Sequence, residues 1–313
     1  MTLHPWLQSA ANQLLAARRA DRLPPALLIQ EAPGTGAAQL ATLAAQLRFC
    51  TAAQPACGLC SHCRRVAQGE HPDFVRVAPD EKSKLGQITV DQSREIAQQL
   101  SMSSYEGRGT VLVIQPADAL NRNAANALLK TLEEPRADAH LILITATPSL
   151  LPATIRSRCQ KLLVPAPQRA AVLEWLNQQR PERRADWPAV LDVLGVAPLA
   201  ALDADVERLL GIRRDIARLL EEMPAGRIDV IRIAHAWAGE DLPLRLAGLE
   251  NCLTERLLTM RADYRLKPAV PDINMAPILR LLAELGELRR QLAAAALNRP
   301  LAVERALWRL HQA

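Results

Sequence analysis

Aromatic residues are scarce in this 313-residue chain, at 3% of the sequence: two tyrosines, two phenylalanines and five tryptophans. This scarcity argues against a platform of aromatic rings for stacking nucleic-acid bases. Long hydrophobic runs are missing too, since no stretch approaches the roughly 20 apolar residues of a membrane span. The first residues do not show the charged and apolar regions of a secretion signal. We therefore expect no membrane contact and a cytoplasmic protein.

Lysine is also rare. Only five of the 38 basic residues are lysines, so the net charge of +5 reflects an arginine-rich composition and does not by itself indicate a nucleic-acid partner. Hydrophobic residues make up 49% of the chain, which is ample for a core. The length favours two or three domains.

Short apolar runs alternate with helical patterns through the first half of the chain. We predict strands at residues 26–29, 74–77, 111–114 and 140–145, and helices at 6–19, 39–50, 90–102 and 123–132. Continuous apolar strands separated by helices indicate an α/β fold with a parallel sheet covered on both faces. Beyond this half, helical spacing of leucines replaces the strand pattern. We predict short helices over 167–208, interrupted at Pro181, Pro188, Gly195 and Pro198, and an all-helical domain over 209–313.

The first predicted strand runs into a glycine-rich loop, where residues 31–38 read EAPGTGAA. The frame of the P-loop, G-x-x-x-x-G-K-[ST], is still legible, with Gly34 in the loop and Gly36 as its second glycine. Glu31 replaces the first glycine, Ala37 the lysine and Ala38 the hydroxyl residue. The lysine binds the β- and γ-phosphates and the hydroxyl binds Mg²⁺. Because both are lost and the added carboxylate would repel phosphate, we predict no ATP binding.

Four cysteines lie within fourteen residues in the pattern C-x6-C-x2-C-x2-C: Cys50, Cys57, Cys60 and Cys63. Four soft ligands at this spacing are typical of a tetrahedral structural zinc site. An iron–sulfur cluster is the alternative, because the last three cysteines also resemble a ferredoxin run. Four thiolates already fill the shell, so we predict that His62 and His71 are ordinary surface residues.

The other catalytic positions of a P-loop ATPase are also altered. The strand at 111–114 ends in Gln115-Pro116, where an ATPase has acidic residues that hold Mg²⁺. Asp118 follows beyond the strand end and is expected to support a turn or cap. Two arginines lie in the segment IRSRC at 155–159, and Arg158 is the candidate for function.

Three features resemble one family when taken together. They are the motif NAANALLKTLEEP at 123–135, the triplet SRC at 157–159, and the four-cysteine insertion. Together they resemble the clamp-loader subunits of bacterial DNA polymerase III, which are AAA+ proteins. The resemblance covers about residues 20–165. Within that family the degenerate loop is similar to the delta-prime type of subunit rather than to the ATP-hydrolysing gamma/tau type.

This resemblance implies specific roles. The four cysteines match the family's zinc ligands, and Arg158 matches the arginine that reaches ATP bound to the adjacent subunit. The resemblance also implies three domains: an AAA+ domain (1–166) with a zinc module (50–63), a lid (167–208) and a collar for oligomerisation (209–313). Gly195-Val-Ala-Pro198 puts proline where the family's ATPases carry a second sensing arginine.

The expected function is therefore an ATP-independent clamp-loader component that helps to open and load the sliding clamp on primed DNA. Its partners would be gamma/tau and delta subunits, with the clamp and DNA reached through the complex. The chain would have no ATPase of its own inside the polymerase III holoenzyme. Two alternatives stay open: an ATP-hydrolysing gamma/tau-like subunit, and a stand-alone zinc-dependent nucleic-acid-binding protein.

The helical motif carries a polar stripe formed by Asn123, Asn126 and Lys130 at helical spacing. Such a stripe usually means a solvated face. The sharper hypothesis is that it lines a chamber facing DNA. The leucines of the same motif, Leu128, Leu129 and Leu132, are expected in the core.

Overall fold

The structure, a computed structural model, describes residues 3–52, 56–80, 86–223, 228–266, 276–294 and 298–312. The chain forms two compact units, Met1–Pro167 and Gln168–Ala313. The boundary lies one residue from the predicted end of the α/β domain. Among the described residues, no helix is both long and apolar enough to cross a bilayer.

The first unit is built on one five-stranded parallel sheet with the strand order β2-β3-β4-β1-β5. Its strands are β1 Ala26–Glu31, β2 Phe74–Val77, β3 Thr110–Ile114, β4 Ala139–Thr145 and β5 Gln160–Val164. Its helices are α1 Gln8–Arg19, α2 Ala38–Phe49, α3 Ser61–Gln68, α4 Val90–Ser101, α5 Arg122–Glu133 and α6 Ala153–Arg156. The predicted α/β fold with a parallel sheet is confirmed.

Each face of the sheet is covered by its own hydrophobic core. Alternate residues of a strand point to opposite faces, so Leu27 and Ile29 of β1 join a core with α1 and α2. Leu28, between them, joins a second core with α4 and α5. A strand buried on both faces needs apolar residues at every position. This is why the central strands are legible as uninterrupted apolar runs.

The fifth strand is absent from the sequence-based prediction. β5 is an edge strand that pairs only with β1 within this sheet, with Val164 opposite Glu31. Leu162 and Val164 are buried, whereas Gln160, Lys161 and Leu163 are exposed. A five-residue strand with one buried face shows an alternation of apolar and polar residues that is too short to distinguish it from a loop.

The second unit contains only helices among the described residues. They are α7 Arg169–Gln179, α8 Trp187–Leu194, α9 Pro198–Asp203, α10 Val206–Glu222, α11 Val230–Trp237, α12 Leu242–Leu266, α13 Ala276–Ala294 and α14 Arg299–Gln312. The prediction that Pro188 interrupts a helix is wrong, because Pro188 lies in the first turn of α8. Proline is tolerated there, since the first amide groups of a helix have no intrahelical partner.

The core of this unit forms where α8 packs against α10 and α12. Trp187 of α8 is fully buried. Gly248 lets α12 approach α10 closely, since a Cβ at this position would lie 2.7 Å from Ile216 Cδ1. The helix α10 runs continuously through the predicted boundary between residues 208 and 209. The division of this unit into a lid and a collar stays a prediction.

A pair of leucine substitutions tests the two-sided core. Leu112 in β3 is fully buried, and Leu163 in β5 is 62% exposed. Leu112→Ala removes core volume and should lower the free energy of unfolding by about 2–5 kcal/mol. Leu163→Ala should change it by about 0.5 kcal/mol or less. Denaturant unfolding followed by circular dichroism makes the comparison, and equal effects would contradict the placement of these strands.

Candidate functional site

The glycine-rich loop at residues 31–38 lies at the carboxyl end of β1, between this strand and α2. Glu31 is the last residue of the strand, and α2 begins at Ala38. Gly34 and Gly36 have φ angles of 72° and 78°, in the left-handed region that glycine adopts without steric cost. The strand–loop–helix order that a P-loop requires is therefore present.

The side chain of Glu31 turns back into this loop. Its Oε2 accepts a hydrogen bond from the backbone N–H of Ala37 at 3.0 Å and another from the hydroxyl of Thr35 at 2.9 Å. Thr35 and Ala37 are fully buried. The side chains of Ala37 and Ala38 offer neither charge nor hydroxyl. The hydrogen bonds to Glu31 inside the loop therefore come from the hydroxyl of Thr35 and the backbone N–H of Ala37.

The N-terminal segment packs onto the same loop. The indole Nε1–H of Trp6 donates to the carbonyl oxygen of Thr35 at 2.7 Å, and the backbone N–H of His4 donates to Gln39 Oε1 at 3.1 Å. The rings of His4 and Trp6 stack with centroids 5.2 Å apart, and burial lowers the pKa of His4. The sequence pattern predicts only a helix that begins at residue 6, and it gives no sign of this polar contact between Trp6 and the loop.

The segment after β3 lies at the same edge of the sheet as the loop, since the strands are parallel. After β3, Gln115-Pro116 leads into a short 3-10 turn at Ala117–Ala119. Asp118 in this turn accepts a hydrogen bond from the hydroxyl of Thr145 at 2.6 Å, which ties the end of β4 to the turn. In the second unit, Pro198 is buried at the start of α9.

The four cysteines predicted from their spacing converge on one point. Their Sγ atoms all lie within 4.8 Å of one another. The Sγ–Sγ distances are 3.6 Å for Cys50–Cys57 and 4.0 Å for Cys50–Cys60. A tetrahedral zinc ion with Zn–S bonds of about 2.3 Å needs Sγ–Sγ distances of about 3.8 Å. All four cysteines are free thiols. The donor set therefore fits a zinc ion, which would hold together the segment of the chain between α2 and β2.

The backbone prepares the two C-x2-C turns for a metal. The N–H of Cys60 donates to Cys57 Sγ and the N–H of Cys63 donates to Cys60 Sγ, both at 3.4 Å. Burial alone would raise the pKa of Cys60, but hydrogen bonds, with that from the Cys63 amide the largest, lower it to about 6. A thiolate is the form that binds metals. The side chain of buried Gln46 in α2 donates to the Cys63 carbonyl at 3.0 Å and anchors the module.

The prediction that His62 and His71 are ordinary surface residues is wrong. The side chain of His71 is fully buried and that of His62 is 15% exposed. His62 Nδ1 lies 3.0 Å from His71 Nε2, and Glu106 Oε2 lies 3.1 Å from His62 Nδ1 and 3.3 Å from His71 Nε2. Arg65 binds both oxygens of Glu106, at 2.7 and 2.8 Å, and these hydrogen bonds lower the pKa of the carboxyl.

This triangle is a hydrogen-bonded cluster rather than a second metal site. His71 Nδ1 accepts the backbone N–H of Asp73 at 3.2 Å, so the proton of the neutral ring sits on Nε2. A metal on Nε2 would require the proton on the other nitrogen. The ring of His71 also stacks on Phe49 at 4.1 Å, and burial lowers its pKa. The cluster connects the four-cysteine segment to the sheet. Because Glu106 is remote in sequence, its role could not be read from the pattern.

Arg158 lies on the surface just before β5. Its guanidinium donates to the carbonyl of Thr154 at 3.0 Å and to Glu133 Oε1, the last residue of α5, at 2.6 Å. The side chains of Arg158 and Glu133 are 35% and 50% exposed. The adjacent Cys159 is buried in the core, and burial raises its pKa to about 11. The SRC triplet therefore combines a packed cysteine with an exposed arginine.

The helix α5 presents the two faces expected from its motif. Leu128 and Leu132 are buried in the core, and Leu129 packs partly against it. The polar residues Asn123, Asn126 and Lys130 are all exposed. The stripe is a solvated face, and its place in a DNA-facing chamber stays a prediction.

Fold and site together define an α/β domain on a five-stranded parallel sheet, with a glycine-rich loop after β1 and a four-cysteine cluster. Residues 6–168 match the family model described as "DNA polymerase III, delta subunit". The chain is 36% identical to subunit delta' of DNA polymerase III from Pseudomonas aeruginosa, over 77% of this chain and 73% of that protein. It is 31% identical to subunit delta' of Yersinia pestis, over 93% and 90%. The identity to subunit tau of Escherichia coli is 34%, over 44% of this chain and 21% of tau. The chain belongs to the delta-prime subunit family of DNA polymerase III.

Metal analysis tests the cysteine cluster. The purified chain should contain about one zinc ion, and Cys60→Ser should release it and lower the melting temperature, because a structural zinc stabilises the fold that binds it. Cys252→Ser, which changes a cysteine of the second unit, should retain the zinc. Iron with visible absorption, or zinc retained by Cys60→Ser, would contradict the assignment.

Proposed function

We propose that this chain is an ATP-independent component of a sliding-clamp loader, which helps to open the clamp and place it on primed DNA. The observation that carries the proposal is the P-loop frame in which Glu31, Ala37 and Ala38 replace the phosphate- and magnesium-binding residues. Membership of the delta-prime family supports the assembly in which it would act. Its partners there would be gamma/tau and delta subunits.

The absence of ATP binding is supported by the chemistry of the loop. A cradle needs a lysine charge on the β- and γ-phosphates and a hydroxyl on Mg²⁺. This loop has neither group, and it holds a carboxylate at hydrogen-bond distance from the amide of Ala37. Gln115-Pro116, at the end of β3, adds no magnesium ligand.

Equilibrium binding of labelled ATP to the isolated chain tests this part of the proposal. No saturable binding is expected at micromolar concentrations of the chain, with or without Mg²⁺. Binding that is abolished by chelating Mg²⁺ would favour the alternative of an active gamma/tau-like NTPase.

We further propose that Arg158 completes the ATP site of an adjacent subunit. It precedes β5 and therefore lies at the amino edge of the sheet, whereas the loop follows β1 at the carboxyl edge. The five residues of β5 span about 16 Å, which is beyond the reach of an arginine side chain to its own loop. Because its side chain is 35% exposed and the guanidinium has five donors, it can meet a phosphate on a neighbour.

The loss of this arginine should appear in the ATPase of the assembly. With Arg158→Ala, turnover at the one site that it completes should fall roughly 10³-fold or more, as for other arginines supplied in trans. The total ATPase activity of the assembly would then fall by the contribution of that one site. Assembly should persist, because an exposed ion pair contributes only about 0–1 kcal/mol.

Arg94→Ala is a matched control for this substitution, since it removes an arginine that forms an exposed ion pair with Asp91 on α4 of the same unit. It should leave the ATPase unchanged. If the assembly with Arg158→Ala hydrolyses ATP at the same rate as the wild type, the proposed role is wrong.

The remaining parts of the chain would serve the assembly. The zinc ion would be structural, and the helical second unit would provide a lid and a collar that joins the collars of partner subunits. The absence of disulfides among the described cysteines fits a reducing compartment, and we place the protein in the cytoplasm. Contacts with the clamp and with DNA would arise through the complex.

A further inference from the structure

We propose that Glu31 is a built-in anion ligand, whose carboxylate occupies the cradle that a nucleotide phosphate would fill and holds the loop closed without nucleotide. This goes beyond the loss of ATP-binding groups. A loop that had only lost its lysine and hydroxyl would leave an open cradle. Here the chain supplies its own negative charge to that place.

The contacts of the carboxylate are those expected of a bound anion. In a P-loop, backbone N–H groups at the start of the helix point at the phosphate, and the positive end of the helix dipole favours negative charge. Ala37 directly precedes the twelve-residue α2, and its N–H donates to Glu31 Oε2 at 3.0 Å. The residue at the N-cap has no side-chain hydrogen bond of its own. The glutamate therefore provides the acceptor that this helix start lacks.

The hydroxyl of Thr35 lies 2.9 Å from the same carboxylate oxygen and also 2.9 Å from the carbonyl oxygen of Ala32, so its one proton is shared between these two acceptors. Thr35 and Ala37 are fully buried. The N–H of Ala37 has Glu31 Oε2 as its acceptor, and a buried donor left unpaired is destabilising.

The structure also holds the carboxylate in place from outside the loop. The backbone of Glu31 is paired within the sheet, opposite Val164 of β5, and the next N–H, that of Ala32, donates to the Val164 carbonyl at 3.2 Å. The indole of Trp6 donates to the carbonyl of Thr35 at 2.7 Å. An entering phosphate would have to displace the carboxylate within a loop that is fixed on both sides.

Chemical rescue by an anion tests the proposal on the full-length chain. Glu31→Ala empties the cradle and should lower the melting temperature by on the order of 3–10 °C. Inorganic pyrophosphate at millimolar concentration should recover at least about 2 °C of this loss, because a ligand of the native state stabilises it. The wild type, whose cradle is filled, should show no such gain over potassium chloride of equal ionic strength.

Two control variants separate the cradle from general charge effects. Glu95→Ala removes an exposed carboxylate from α4 and should neither melt lower nor respond to pyrophosphate. Glu31→Gln keeps the shape and one acceptor oxygen but loses the charge, so it should melt between the wild type and Glu31→Ala and show no rescue.

The proposal is overturned if Glu31→Ala is as stable as the wild type, or if pyrophosphate stabilises both equally. Should Glu31→Ala fail to fold, Glu31→Gln decides: a melting temperature below that of the wild type supports the charged ligand, and an equal one overturns it. ATP binding by the wild type tests the proposed function instead. If the wild type binds no ATP and pyrophosphate does not rescue Glu31→Ala, the proposal of a built-in ligand is wrong and the proposed function stands.

Discussion

The parallel pairing of β1 with β4 on one side and β5 on the other is the constraint on which the rest of the structure depends. Parallel strands place all their carboxyl ends at one edge of the sheet and all their amino ends at the other. The degenerate loop after β1 therefore lies at one edge, and Arg158 before β5 lies at the opposite one. The sheet separates the loop for which we propose no nucleotide binding from the arginine proposed to serve another subunit.

The four-cysteine segment at residues 50–63 depends on the same sheet in a different way. It begins at the end of α2, which covers one face, and returns to the edge strand β2. Gln46 anchors its backbone to α2, and the cluster of buried His71 with partly buried His62 and Glu106 ties α3 to the loop before β3. The metal would therefore stabilise a segment, between α2 and β2, whose two ends are already held by hydrogen bonds. A structural role explains this arrangement better than a catalytic one, since four thiolates leave no open ligand position.

Local chemistry explains which features were predictable from sequence. The central strands were found because burial on both faces forces apolar residues at every position, and the four cysteines were found because their spacing suits one tetrahedral ion. β5 was missed because an edge strand has only one buried face. The buried state of His71 was missed because its partner Glu106 is far along the chain. For Glu31, the sequence indicated repulsion of phosphate, but only the turn of the loop brings its carboxylate to the amide of Ala37.

The central claim is that this chain contributes to a nucleotide-driven assembly without binding nucleotide. The most direct measurement is photo-crosslinking of labelled ATP to the complex reconstituted with gamma/tau and delta subunits, followed by separation of the chains. The account predicts label on the gamma/tau subunits and none on this chain. Label on this chain that unlabelled ATP competes away, mapped to the loop at residues 31–38, would contradict it.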